Sequence, residues 1–156
     1  MGATTIIAMS IFFLSHQTIY AESKVNWKDY EAAPDQSKAS GKPLIIHFYA
    51  DWCFWCKKMD KNTFSEESVA SYINDKFIAT RINAEKNSDI ASTFRVRGLP
   101  DTWFFTSEGE SITHFSGFMP AEQFLWLLKY IESNSFKSMD FEAYLKRSGA
   151  ENLLKN

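Results

Sequence analysis

Cys53 and Cys56 are the only cysteines in the chain, and they sit three positions apart in Asp51-Trp52-Cys53-Phe54-Trp55-Cys56-Lys57-Lys58. Thiols at that spacing can pass between a disulfide and a dithiol, exchanging electrons with another sulfur pair. Two cysteines can also serve a metal or act as a staple. A zinc site needs four ligands, and the scattered His16, His47 and His114 supply no second close pair. A c-type haem site needs His directly after the second Cys, where this chain has Lys57. A structural bridge across so small a loop would stabilise by roughly 2 kcal/mol in the chain-entropy model, against about 4.7 for a long loop. The redox pair is the reading the spacing favours.

Two elements must position that pair. Before it runs Pro43-Leu44-Ile45-Ile46-His47-Phe48-Tyr49-Ala50, an apolar run of strand length without polar alternation. Such a strand is buried on both faces. After it, a helix is expected from about Cys53 to Lys61. The first sulfur then sits at a helix N-terminus, where unpaired backbone N–H groups favour a thiolate. Cys53 is thus the candidate nucleophile. Cys56, one turn further in, is the candidate resolving thiol that attacks a mixed disulfide. Lys57 and Lys58 add positive charge nearby, or point to solvent.

The remaining chain reads as alternating elements. Val25-Asn26-Trp27 suggests a short strand, and Tyr30 to Ser40 a helix with Pro34 in its first turn and Gly41 as its stop. Asn62-Thr63-Phe64 reads as a break, and Ser65-Glu66-Glu67 as the capped start of a helix carrying Val69, Tyr72 and Ile73. Phe77 to Asn83 is a strand, and Asn87-Ser88-Asp89 caps a short helix with Ile90 and Phe94. Thr102–Thr106 and Ser111–Phe115 form a hairpin around Ser107-Glu108-Gly109-Glu110. A long helix then buries Phe124, Leu127, Leu128 and Ile131, and a last helix from near Ser138 carries Phe141, Tyr144 and Leu145. This is an α/β class chain: a mixed central β-sheet flanked by helices, with an extra C-terminal helix.

That order, together with three motifs, resembles the thioredoxin fold over roughly Trp27 to Ser133. The motifs are the stretch from Lys42 to Cys53, Gly98-Leu99-Pro100, and Phe115-Ser116-Gly117. Ala50-Asp51-Trp52-Cys53 and Thr63-Phe64-Ser65 look most like exported members, including the C-terminal domain of the transmembrane thiol-disulfide interchange protein. The resemblance implies a cis bond before Pro100, facing the cysteines, which leaves the Leu99 backbone free to pair with an extended substrate segment; a trans proline ending a loop is the plainer alternative. Trp52, Phe54 and Trp55 become an apolar collar for partner chains, or simply packing, the latter more readily for Trp52. Many thioredoxins carry a buried Asp where this chain has His47. Its unperturbed pKa of about 6.5 suits a proton relay to the second cysteine, and a merely packed imidazole serves the sequence equally well.

Composition sets the remaining bounds. The chain has 156 residues, enough for one domain with a real core, and fourteen Phe to build it. A net charge of −2 gives no electrostatic reason to expect nucleic acid or an anionic membrane as partner. Met1 to Ala21 lacks any Asp, Glu, Lys or Arg. Its apolar run from Ile6 to Leu14 is too short to span a bilayer and has the length of a signal-peptide core, although the usual leading Lys or Arg is missing. Residues 1–21 are therefore expected to be a signal peptide, or an uncleaved membrane anchor, and 22–156 the thioredoxin-like domain, periplasmic or otherwise exported. The expected function is a thiol-disulfide oxidoreductase that reduces protein disulfides at Cys53–Cys56. It needs no cofactor or metal beyond that disulfide, works as a monomer, and takes electrons from a membrane thiol donor, as the resemblance implies. A disulfide oxidase or isomerase, or a non-catalytic binding or chaperone module with an idle disulfide, are the competing readings.

Overall fold

The computed structural model describes residues 23–155, so the expected signal segment, residues 1–21, lies outside the described residues. Four strands, β1 (Leu44–Tyr49), β2 (Ile78–Asn83), β3 (Asp101–Phe105) and β4 (Ser111–Ser116), form one sheet of order β2-β1-β3-β4. β1 runs parallel to β2 and antiparallel to β3, and β3 pairs antiparallel with β4. The apolar run is thus the strand paired on both sides, and all of it but Tyr49 is buried. Its side chains alternate between two cores, as the period of two requires. Ile45 joins Phe64, Phe104, Phe124 and Leu128 on one face, while Leu44, Ile46 and Phe48 meet Ala33, Ile82 and Ala91 on the other.

Among the described residues, six α-helices pack around the sheet: α1 (Ala33–Ser40), α2 (Phe54–Met59), α3 (Glu67–Lys76), α4 (Ser88–Thr93), α5 (Ala121–Glu132) and α6 (Phe141–Arg147). In α5, Phe124, Leu127, Leu128 and Ile131 are buried together with Tyr130, the face its spacing specifies. Gly41 takes a left-handed φ of 69° at the end of α1, the stop its position implied.

Four local readings are corrected. Val25–Trp27 is not a strand; only Lys28 bridges to Thr80 at the open edge of β2, because Trp27 instead turns its ring onto His47 and Phe64. The helix after Cys53 does not break at Asn62. Asp60–Phe64 continues it as a single widened π turn. That turn seats Phe64 in the core with no exposure and lets the Thr63 hydroxyl donate to the Met119 carbonyl at 2.6 Å. Ser65 caps no helix: its hydroxyl donates back to the Lys61 carbonyl, and α3 starts after Glu66. The last helix is capped by Asp140, whose carboxylate accepts from the Ala143 N–H at 2.8 Å, rather than starting at Ser138.

Candidate active site

The chain leaves β1 at Tyr49, turns through Ala50 to Trp52, and enters α2 with Cys53 as its N-cap. Extended backbone at Cys53, with φ −70° and ψ 109°, aims its side chain back over the first turn. There the Cys56 N–H donates to Cys53 Sγ at 3.1 Å. A sulfur is doing the capping work that Ser or Asp usually does, and the same N–H would stabilise a thiolate formed on Cys53. Cys53 and Cys56 are joined as a disulfide, with Cα atoms 5.3 Å apart, inside the usual range for such bridges.

Both cysteines are nearly enclosed, Cys53 at 3% exposure and Cys56 at 1%. Ala50, Tyr49 and Leu99 pack around them. Leu99 comes from the loop before β3, and the Leu99–Pro100 bond is cis. Gly117, at a φ of 106°, donates its N–H to the Pro100 carbonyl at 2.7 Å, tying that loop to the end of β4. The three segments that carried the family resemblance therefore converge at one end of the sheet.

The aromatic residues of the motif do not pack inward. Trp52 is 67% exposed, Phe54 68% and Trp55 48%. Packing, the alternative that the sequence left more open for Trp52 than for Phe54 and Trp55, is not what its ring does, since the turn after β1 carries it away from the core. It instead borders a groove of about 340 Å³ with Arg97 and Leu99. On the other side, Phe54 and Trp55 meet edge to face, and Trp55 neighbours Phe118. Lys58 lies against these rings, its Nζ 4.8 Å from the centroids of both Trp55 and Phe118. Phe118 has no motif of its own, and only the fold brings it here from the loop before α5.

His47 lies on β1 with no exposure, its Nδ1 2.9 Å from Thr102 Oγ1 and its Nε2 without a partner. Trp27 stacks on the ring and Phe64 meets it edge on. Burial, aided by the Arg81 charge, pushes its pKa down from 6.5 to about 3. The imidazole is thus neutral throughout the pH range in which thiols exchange. The near-neutral pKa that motivated a relay there is not the one the folded protein gives it.

A second cleft, of about 330 Å³, opens behind Cys56 and is lined by Tyr49, Asp51, Lys57, Asp60 and Arg81 as well. Asp60 and Arg81 form an ion pair at 3.2 Å, three-quarters buried. The guanidinium also lies 4.0 Å from the Tyr49 ring centroid. Neither residue was singled out from the sequence. Two signals were present: Asp60 stands one helical turn after Cys56, and Arg81 is a lone charge within an apolar strand.

Comparison with known proteins agrees with this geometry. Residues 30–132 match a family model described as a thioredoxin-like domain. The thiol:disulfide interchange protein DsbD of Yersinia pestis is 40% identical over 95 residues, which cover 57% of this chain and 16% of that protein. Among solved structures, a thioredoxin-fold protein from Helicobacter pylori superposes with a TM-score of 0.63 at 20% identity, covering 69% of this chain and 84% of that one. The DsbD C-terminal domain of Neisseria meningitidis, in its reduced form, gives 0.54 at 25% identity, covering 64% and 90%. The chain thus spans about a sixth of the length of the curated relatives it matches.

Proposed function

The chain belongs to the thioredoxin-like domain family, and from that membership and the site's geometry we propose that it is an exported thiol-disulfide oxidoreductase working as a reductase of protein disulfides. The observation that carries this reading is the Cys56 N–H aimed at Cys53 Sγ, at the edge of an uncovered aromatic surface. In the reduced protein, the Cys53 thiolate attacks one sulfur of a substrate disulfide, and the other substrate sulfur leaves as a thiolate. Cys56 then attacks Cys53 Sγ, re-forming the internal disulfide and releasing the second substrate sulfur. Two electrons pass to the substrate, and the Cys53–Cys56 disulfide is the product state. A dithiol donor must return those electrons; a membrane-embedded one fits the relatives' part in thiol-disulfide interchange and the charge-free N-terminal stretch.

Trp52, Phe54 and Trp55 would hold the partner chain, with the backbone at Leu99 and Pro100 pairing with its extended segment. Substrate recognition of this kind is tolerant of sequence, which suits a reductase of several proteins. Insulin reduction with a Cys53→Ser control tests the enzyme reading: activity lost in the variant supports it, and activity absent from both points to a binding module. The Cys53–Cys56 reduction potential tests direction, because known sites of this type run from about −270 to −120 mV. A value near the upper end would replace the reductase with an oxidase.

A further inference from the structure

The disulfide lies in a surface whose charge runs against that of the whole chain. Nineteen acidic residues outnumber seventeen basic ones, for a net charge of −2. Beside the cysteines the acids are already engaged, Asp51 with Lys86 at 3.0 Å and Asp60 with Arg81 at 3.2 Å. Four cations on the flanking segments are left over. Lys57 and Lys58 follow Cys56, and Arg95 and Arg97 stand in the loop that carries Leu99 and Pro100. Among the described residues, none of the four takes part in an ion pair.

Arg97 is the best placed of them. Its side chain is exposed and lines the groove of about 340 Å³ that Trp52 and Leu99 border. Ala84, Ala91 and Val96 give that groove an apolar lining. The backbone along it is held at both ends and open between. Val96 donates its N–H to the Ala91 carbonyl at 3.0 Å, and the Pro100 carbonyl accepts from Gly117 at 2.7 Å. The N–H groups of Arg97, Gly98 and Leu99 have no backbone partner among the described residues. An extended chain laid against that stretch brings every second side chain over the groove. A guanidinium there can meet a carboxylate with two parallel N–H···O bonds, and it repels a lysine.

We propose that Arg97 makes this site selective for substrate segments that carry Asp or Glu beside the reacting cysteine. The proposal rests on the oxidoreductase reading above and names the class of substrate it acts on. Lys57 and Lys58 keep the potential positive on the other side of the disulfide, so an acidic segment is favoured across the face. Glu85 opposes from the groove's other wall, which confines the acidic side chain to the Arg97 side. Because the chain as a whole is negative, the attraction is local. It sorts partners already in contact, and salt screens it, the Debye length falling from about 10 Å at 0.1 M to about 3 Å at 1 M.

Disulfide-linked dimers of one short peptide, with Glu, Gln or Lys on both sides of its single cysteine, test this as substrates of the reduced protein. Each rate is divided by the rate with dithiothreitol, which removes the peptide's own reactivity. At low salt the Glu peptide should react on the order of fivefold faster than the Lys peptide. Salt at about 1 M should bring that ratio close to one. Arg97→Glu should reverse the order, and Arg97→Lys should keep it in weaker form. Lys137→Glu makes the same charge change at the opposite end of the sheet, beside Gly41 and Pro43, and should keep the wild-type ratio. Both positions are exposed, so the variants keep the fold.

Equal rates for the three peptides, or a Glu preference that survives Arg97→Glu, would overturn the proposal. Faster reduction of the Lys peptide by wild type would overturn it too, and would give the groove to Glu85. Dimerisation that Arg97→Glu abolishes, read by light scattering, would assign the patch to a second copy instead. The oxidoreductase reading fails separately, if Cys53 of the reduced wild type releases no chromophore from 5,5′-dithiobis(2-nitrobenzoate).

Discussion

The Nδ1 atom of His47 lies 2.9 Å from Oγ1 of Thr102, and this pair bridges β1 and β3 through the sealed middle of the sheet without a net charge. Its counterpart Nε2 makes no hydrogen bond, so the ring cannot be charged there without leaving a buried cation uncompensated.

Stability should therefore fall in acid in a way that His47 controls. Its folded pKa of about 3 lies below the unfolded value of 6.5, so the unfolded chain takes the proton first. The contribution is complete above pH 6.5 and is lost as pH falls from there toward about 3. One extra proton on the unfolded state means up to about a tenfold loss in the folding equilibrium per pH unit. Urea unfolding of wild type and His47→Leu between pH 7 and 4 checks this: the variant's slope should be shallower by about one proton. Parallel slopes would place the acid sensitivity elsewhere.

Thr102→Val keeps the shape of the side chain and removes the hydroxyl that His47 uses. Both imidazole nitrogens would then be buried without partners, a cost of about 1–3 kcal/mol. The variant should unfold at lower denaturant with an unchanged dependence on denaturant concentration, while chromophore release from Cys53 stays close to wild type.

Asp101, directly after Pro100 and almost fully buried, accepts from the Trp103 indole N–H at 3.2 Å and lies 3.2 Å from His114 Nδ1. Asp101→Ala would strand the indole donor and loosen the start of β3. A loss of about 1–3 kcal/mol is expected, read by thermal or denaturant unfolding. A change within 0.5 kcal/mol, the range of ordinary surface substitutions, would mean the carboxylate is not holding that strand end.

The collar of exposed rings should serve protein substrates and not small ones. Phe54→Ala and Trp52→Ala remove rings that are mostly exposed and lie outside the core, so stability should change by no more than about 0.5 kcal/mol. KM for insulin should rise on the order of fivefold or more, the effect of losing an aromatic anchor worth about 1 kcal/mol. The rate with glutathione disulfide should hold. Equal losses on both substrates would show that the rings act on the sulfurs rather than on the partner chain.

Much of this protein was legible in its residues one after another. The Cys53–Cys56 spacing, the apolar run of β1 and the face of α5 are local patterns, and the periods of strand and helix translate them directly into structure. The departures occur where a neighbour distant in sequence overrides the local signal. Val25–Trp27 has strand-like residues, yet Trp27 is drawn onto His47 and Phe64. The helix after Cys56 widens at Asp60–Phe64 because Phe64 and Thr63 have partners in α5 and the Met119 loop.

The sequence by itself determined that two thiols would stand at a strand-to-helix turn, with Cys53 at the helix N-terminus and Cys56 one turn further in; that Cys53 Sγ caps the helix came from the folded backbone. Only the tertiary structure decided the electrostatics around them. Burial between Trp27 and Phe64 makes His47 neutral, and the register that sets His47 beside Arg81 on neighbouring strands adds a repelling charge. The same fold brings Arg81 to Asp60, twenty-one residues away in the chain, at the cleft behind Cys56. Side-chain spacing is written in the order of residues, but desolvation and the distance between charges exist only once separate elements have packed together.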